Sequence, residues 1–168
     1  MTYLYLVRHG ETVDNVNQIL QGQTDGQLTP NGILQAEKVR DNLKKSHFDA
    51  IVSSDLQRSV DTALIIAQPH GLEVEKIQLL RERDWGGFTG EFIPDLKDKV
   101  WPDDIETLEH MMARAHNFIT YIKASYKDKH VLAVGHGIIN KAIQAVYYNK
   151  TMSEISKMAN GEVRILIL

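Results

Sequence analysis

Short apolar runs and apolar stripes at helical spacing alternate along this chain. The first run, Leu4 to Val7, is rich in leucine, tyrosine and valine and predicts a buried β-strand. In LTPNGILQAEKVRDNL, Thr29 stands at an N-cap position, Pro30 at the first helical position, and Ala36, Val39 and Leu43 recur at helical spacing, which predicts a helix. FDAIVSS then reads as a short buried strand. Ser54 and Gln57 make a capping-box pattern that opens a second helix, with Leu56, Val60, Ala63, Leu64 and Ala67 on its apolar face and Gly71 as its stop. Leu72 to Ile77 is a weaker strand signal, and the paired glycines of LLRERDWGGFTG indicate a loop. Apolar positions 105, 108, 112, 115, 119 and 122 mark a long amphipathic helix between Ile105 and Ile122. HVLAVGHG is another buried strand, a helix carrying Ile139, Ile143 and Val146 follows it, and EVRILIL reads as a strand.

Strands that alternate with helices imply βαβ units and a mostly parallel sheet covered on both faces. Such sheets bind ligands in the crevice outside the carboxyl ends of their strands. Two polar clusters are expected there, because Arg8-His9-Gly10 and Gly135-His136-Gly137 each follow directly on a predicted strand. The last strand pairs either within the chain or with a second copy in a homodimer.

Length and composition narrow this picture. With 168 residues the chain is expected to form one domain over positions 1–168. A net charge of −3 gives no global attraction to nucleic acid or to an anionic membrane, so an anion has to be bound locally. The absence of cysteine excludes disulfides, thiolate metal sites and a thiol nucleophile. MTYLYLVRHGE has no basic region before its apolar stretch and reaches Arg8 too early for a secretory signal or a membrane span, which predicts a cytoplasmic protein.

Arg8 and His9, Arg58 in the first turn of a predicted helix, and His136 carry the candidate chemistry. Two arginines, two potentially cationic histidines and nearby helix N-termini suit a phosphate dianion, since guanidinium forks match its oxygens. Taken singly, each of these residues also has an ordinary surface or capping explanation. A histidine kept unprotonated can attack phosphorus and form a phosphohistidine. The leaving oxygen then needs a proton, from a carboxylic acid or from the second histidine. Glu82 is the preferred carboxyl, although Asp84, Glu91 and Glu11 also lie in loops and spacing alone does not separate them.

LVRHGET with Asn15 following, LTPNGILQA, IVSSDLQRSVDTA, LRERDWGGFTG and VLAVGHG resemble, in order, the sequence blocks of the histidine phosphatase superfamily in its phosphoglycerate mutase-like branch. The resemblance implies a three-layer α/β/α sandwich whose mostly parallel, mixed sheet has one late antiparallel strand. It implies that His9 is the nucleophile, that Arg8, Arg58 and His136 bind the phosphoryl group, that Asn15 helps bind phosphate, and that Glu82 is the general acid. The reaction needs neither a metal nor a cofactor, and its partner is a small-molecule phosphate ester.

A metal hydrolase is disfavoured, because His9 and His136 lack ligand spacing and the arginines would repel a divalent ion. A non-catalytic phosphate-binding regulatory module would not need nucleophile, anion clamp and acid together. Between phosphatase and cofactor-dependent phosphoglycerate mutase, the segment from Trp85 to Asp104 is informative. It reads as a short cap whose apolar residues, among them Trp85, Phe88, Phe92, Ile93 and Trp101, pack on the sheet edge. Its basic residues are Lys97 and Lys99 alone, where the mutases carry paired arginines, and Trp85 stands where they usually carry tyrosine. Of the nearby arginines, Arg83 is kept from the mutase pattern and Arg114 is placed on the solvent side of the long helix. These features predict a phosphatase with little mutase activity.

Overall fold

The computed structural model describes residues 1–168. Strands β1 (Tyr3–Arg8), β2 (Ala50–Ser53), β3 (Val74–Lys76), β4 (His130–Gly135) and β5 (Val163–Ile167) form one sheet in the order β3-β2-β4-β1-β5. β1, β4, β2 and β3 run parallel, and β5 pairs antiparallel with β1. The final strand therefore finds its partner within the chain. Helices α1 (Val13–Asn17), α2 (Pro30–Leu43), α3 (Gln57–Ala67), α4 (Leu108–Ser125) and α5 (Gly137–Tyr148) complete the chain together with several 3₁₀ turns. No helix is long and apolar enough to cross a membrane.

Both faces of the sheet are apolar because side chains alternate along each strand while both sides are covered. Leu4, Leu6, Val131 and Ala133 point to one face, where Met111, Phe118 and Ile122 of α4 and Ile139 and Ile143 of α5 cover them. Val7, Leu132 and Val134 point to the other, against Val39 of α2 and Ala63 and Ile66 of α3. The result is the three-layer α/β/α sandwich that the resemblance implied, its mixed sheet included. Each fully buried side chain of Leu, Ile or Phe size contributes about 1.5–3 kcal/mol.

Three elements differ in detail from the sequence reading. The buried stripe of α4 is Met111, Ala115, Phe118 and Ile122, which keeps the expected positions 115 and 122 and moves 112 and 119 back by one. Leu108 is half exposed and Met112 and Ile119 only flank the core, because Thr107 caps the helix and starts it three residues later than Ile105. The strand expected over Leu72–Ile77 shortens to Val74–Lys76, as an edge strand paired only with β2. α3 has Leu56 at its N-cap with no side-chain cap, so Ser54 and Gln57 form no capping box. Ser54 instead accepts a hydrogen bond from the Leu56 N–H and turns its hydroxyl toward His136.

Candidate active site

The two histidines meet because β1 and β4 are neighbours in register. Arg8 lies opposite Gly135, and the His9 N–H donates to the Gly135 carbonyl at 3.1 Å. Each chain then leaves the sheet at the same end, which brings the rings of His9 and His136 edge to face with centroids 5.1 Å apart. β2 runs beside β4 and ends at Ser53, and the turn that follows carries Arg58 to the same crevice in the first turn of α3. Arg8, His9, Asn15, Arg58 and Glu82 all line one cavity of about 290 Å³, together with Trp85, Ile138, Lys141 and Lys157. His136 packs beside His9, is fully buried and is not among the residues that line the cavity.

His9 is only 2% exposed. Its Nδ1 lies 2.7 Å from the Gly10 carbonyl, an acceptor, so Nδ1 carries the proton and donates it there. Nε2 then holds the free lone pair, with no protein partner. Burial, with the Arg58 and Arg8 charges adding to it, holds the His9 pKa well below the ordinary histidine range, although the bond to Gly10 works the other way. The ring is a neutral base rather than a cation. The backbone around it is fixed by the Gly10 N–H donating to Thr62 Oγ1 at 3.1 Å and by Asn160 Nδ2 donating to the His9 carbonyl at 3.0 Å.

His136 is also held neutral, by burial and then by the Arg58, His9 and Arg8 neighbours. Its Nε2 lies 2.8 Å from Ser54 Oγ and 3.2 Å from Ser59 Oγ. The sequence left both histidines potentially cationic; the structure keeps both neutral, and the positive charge of the site comes from its guanidinium and ammonium groups. Arg58, 1% exposed, donates to the carbonyls of Thr24 and Gly22, and burial draws its pKa down to about 10, which leaves it protonated at neutral pH. Arg8 anchors itself by donating to the Met158 carbonyl at 2.7 Å.

Three buried nitrogens of this site have no partner: Arg8 Nε, Arg58 Nε and His136 Nδ1. A buried donor left unsatisfied costs about 1–3 kcal/mol, and oxygens of an anion are the natural complement to such a group. Asn15 adds a side-chain amide, since its Oδ1 accepts from the Thr12 N–H at 3.0 Å while Nδ2 stays unengaged.

The helix N-termini, in contrast, are already occupied. At α3 the Arg58 and Gln57 N–H groups donate to Asp25, and at α5 the Ile138 and Ile139 N–H groups donate to the Glu82 carboxylate, each at 3.1 Å. This corrects the expectation that helix dipoles would cradle the anion and explains where Glu82 comes from. Its third acceptor bond is from the Arg83 N–H at 2.9 Å. The other acids in loops are used elsewhere: Glu11 accepts from Thr29 Oγ1, Asp84 accepts from the Gly86 N–H, and Glu91 pairs with Lys99.

Arg114 does not face solvent as expected. It lies under the loop that carries Glu82, donating to the carbonyls of Leu79, Arg81 and Glu82 and to the carboxylate of Glu106. Glu106 is itself nearly buried and also takes the Asp84 N–H and His110 Nδ1. Burial pushes its pKa up, but the bonds from Arg114 and Asp84 outweigh this and hold it below the ordinary range. Arg83 lies over the Trp85 ring, 4.5 Å from its centroid, and donates to the Glu106 carbonyl at 2.7 Å. The sequence reading missed Ser54, Ser59 and Glu106 and did not bring Lys141 and Lys157 to the site. Ser54 and Ser59 lie within the IVSSDLQRSVDTA block but carried no site role there, whereas Glu106, Lys141 and Lys157 lie outside every block and only tertiary packing brings them in.

The comparisons with known proteins agree with this geometry. The family model of the histidine phosphatase superfamily (branch 1) matches residues 4–168. The chain is 37% identical over 141 residues to PhoE of Bacillus subtilis, an uncharacterized phosphatase, covering 82% of this chain and 72% of that one. It is 33% identical over 153 residues to "Probable phosphoglycerate mutase GpmB" of Salmonella arizonae, covering 82% and 71% of the two chains. Among solved structures, phosphoserine phosphatase of Entamoeba histolytica in complex with 3-phosphoglyceric acid superposes with a TM-score of 0.89 at 27% identity, covering 99% of this chain and 91% of that one. A match that runs from the first strand to residue 168, on a fold shared almost end to end with a solved phosphatase, makes this chain a member of branch 1 of the histidine phosphatase superfamily.

Proposed function

We propose that the chain is a phosphomonoesterase that hydrolyses small organic phosphates through a covalent phosphohistidine on His9. The observation that carries this reading is the neutral His9 ring, its Nε2 free beside two buried arginines that each have an unspent donor. Nε2 attacks phosphorus, an N–P bond forms as the ester P–O bond breaks, and the leaving oxygen takes its proton from the Glu82 carboxyl. Arg8, Arg58, Asn15 and His136 meet the charge on the equatorial oxygens, where fixed donors in a water-poor site act most strongly. A water molecule then attacks the phosphohistidine and gives its proton to the Glu82 carboxylate, releasing phosphate and regenerating His9.

The phosphatase names among the relatives support hydrolysis over mutase chemistry. A single domain with Trp85–Asp104 as a short cap, no cofactor requirement and a cytoplasmic location complete the reading. The test is hydrolysis of p-nitrophenyl phosphate with and without EDTA, combined with rapid alkaline quenching to trap labelled enzyme. We expect activity that survives chelation and label on His9 that is lost in His9→Ala. Label on another residue, or inactivation by EDTA, would overturn the proposal.

A further inference from the structure

Two lysines on the wall of the active-site cavity have no part in the chemistry proposed above. Lys141 comes from α5, one turn beyond Ile138 on the same helix face, and Lys157 from the segment that leads into β5. Neither forms an ion pair, whereas Lys99 of the cap segment is matched with Glu91. The backbone that carries Lys157 is pinned on both sides. Arg164 donates to the Ser156 carbonyl at 3.0 Å and to the Lys157 carbonyl at 3.4 Å, and Arg8 donates to the Met158 carbonyl at 2.7 Å. The phosphate-site arginine thus fixes the backbone next to Lys157, and the exposed Lys157 side chain reaches the cavity from that fixed point.

The charge on the cavity wall exceeds what a simple phosphate ester supplies. Arg8, Arg58, Lys141 and Lys157 are cationic, His9 is neutral, and Glu82, even counted as a carboxylate, leaves three positive charges in excess. A phosphate monoester dianion leaves one unmatched. We infer that Lys141 and Lys157 form a second-anion subsite, which selects phosphate esters that carry a carboxylate a few bonds from the phosphate. The small cavity restricts the ligand to a short one, and Trp85 and Ile138 on its wall provide apolar contact for the carbon atoms between the two charged ends. This inference rests on the phosphatase reading and adds to it a selectivity that the phosphate-binding residues cannot provide.

The test uses two esters that differ only at one carbon. In 3-phosphoglycerate a carboxylate occupies the place of the terminal hydroxymethyl group of glycerol 3-phosphate. Both are titrated calorimetrically at low ionic strength into the His9→Ala protein, which prevents turnover, and then into the same protein carrying Lys141→Met, Lys157→Met or both. We expect 3-phosphoglycerate to bind roughly tenfold more tightly in the parent, each substitution to reduce that ratio by about threefold, and the double variant to bring it close to one, as partly screened ion pairs would. Lys141→Arg should preserve most of the preference. A ratio near one in the parent, or a preference unchanged in the double variant, would overturn the subsite and leave the phosphatase reading intact. Failure of both esters to bind any of the proteins would overturn the phosphatase reading and the subsite with it.

Discussion

His9 and Glu82, the proposed nucleophile and acid, show how neighbours can fit an ordinary residue type for a role. Histidine is ordinarily close to half-charged near pH 6.5, yet His9 is neutral because it is buried beside Arg58 and Arg8. The hydrogen bond to Gly10 places its remaining lone pair on Nε2. Glu82 is distinguished from Asp84, Glu91 and Glu11 by position, since it alone among them lines the cavity. A general acid matters most when the leaving group is a strong base. Glu82→Gln should therefore lower kcat/KM, which reports the phosphorylation of His9, on alkyl phosphates by about 10²–10⁴-fold, while p-nitrophenyl phosphate, whose phenolate departs unaided, loses less than about tenfold. Comparing kcat/KM for the two substrates in the variant checks this. Equal losses would move the acid to another group, with Asp84 the first to examine.

At the scale of elements, the catalytic loop is held by backbone packing that only glycine allows. A Cβ on Gly32, in the first turn of α2, would lie 2.0 Å from the Glu11 carbonyl oxygen, and one on Gly10 would lie 2.4 Å from the Gly32 carbonyl oxygen. Gly32→Ala must push α2 away from the loop after His9, and overpacking of this kind costs about 1–3 kcal/mol. Urea unfolding should show that loss together with a fall in kcat. A variant as stable as the parent would mean that the loop yields easily. The cap gives a second prediction. Arg83 is engaged over Trp85 and Arg114 beneath the Glu82 loop, so neither is free for the second phosphate that a mutase must hold. With 2,3-bisphosphoglycerate as primer, phosphate release should outpace interconversion of 3- and 2-phosphoglycerate, and faster isomerisation would refute this. These elements also mark what was legible in the sequence. The strands were readable because both faces are buried and their apolar runs are nearly unbroken, and the positions of Arg8, His9, Arg58 and His136 followed from strand ends. The cap of α3 and the orientation of Arg114 were not, because each depends on contacts between segments far apart in the chain, as when Ser54 turns to His136 instead of capping α3. The start of α4 is set locally, by Thr107 accepting from the His110 N–H, a short-range signal that the apolar spacing overrode.

For the whole molecule, the active site imposes a dependence of stability on pH. His9 and His136 are both fully enclosed, and burial, reinforced by the arginines, sets their folded pKa values well below the ordinary range. In the unfolded chain both take up protons as the pH falls through about 6.5. Between that pH and the lower folded values the unfolded state binds more protons, so stability rises with pH across the window and is lost on acidification. Each histidine contributes a slope of up to about 1.4 kcal/mol per pH unit, and the pair about twice that. This is a large share of a typical stability of about 5–15 kcal/mol. The lowered carboxylates, such as Glu106 and Glu162, push in the same direction but only below their own unfolded values, at more acidic pH. Urea unfolding at pH 7, 6 and 5 should show a steep decline that begins near pH 6.5, and His136→Asn should remove about half of the slope. On the proposed reading inorganic phosphate binds the folded site, so it should raise stability by about 2.7 kcal/mol at a hundred times its Kd. A flat profile from pH 7 to 5 would mean that the histidines titrate alike in the folded and unfolded chains, and the neutral nucleophile would lose its physical basis.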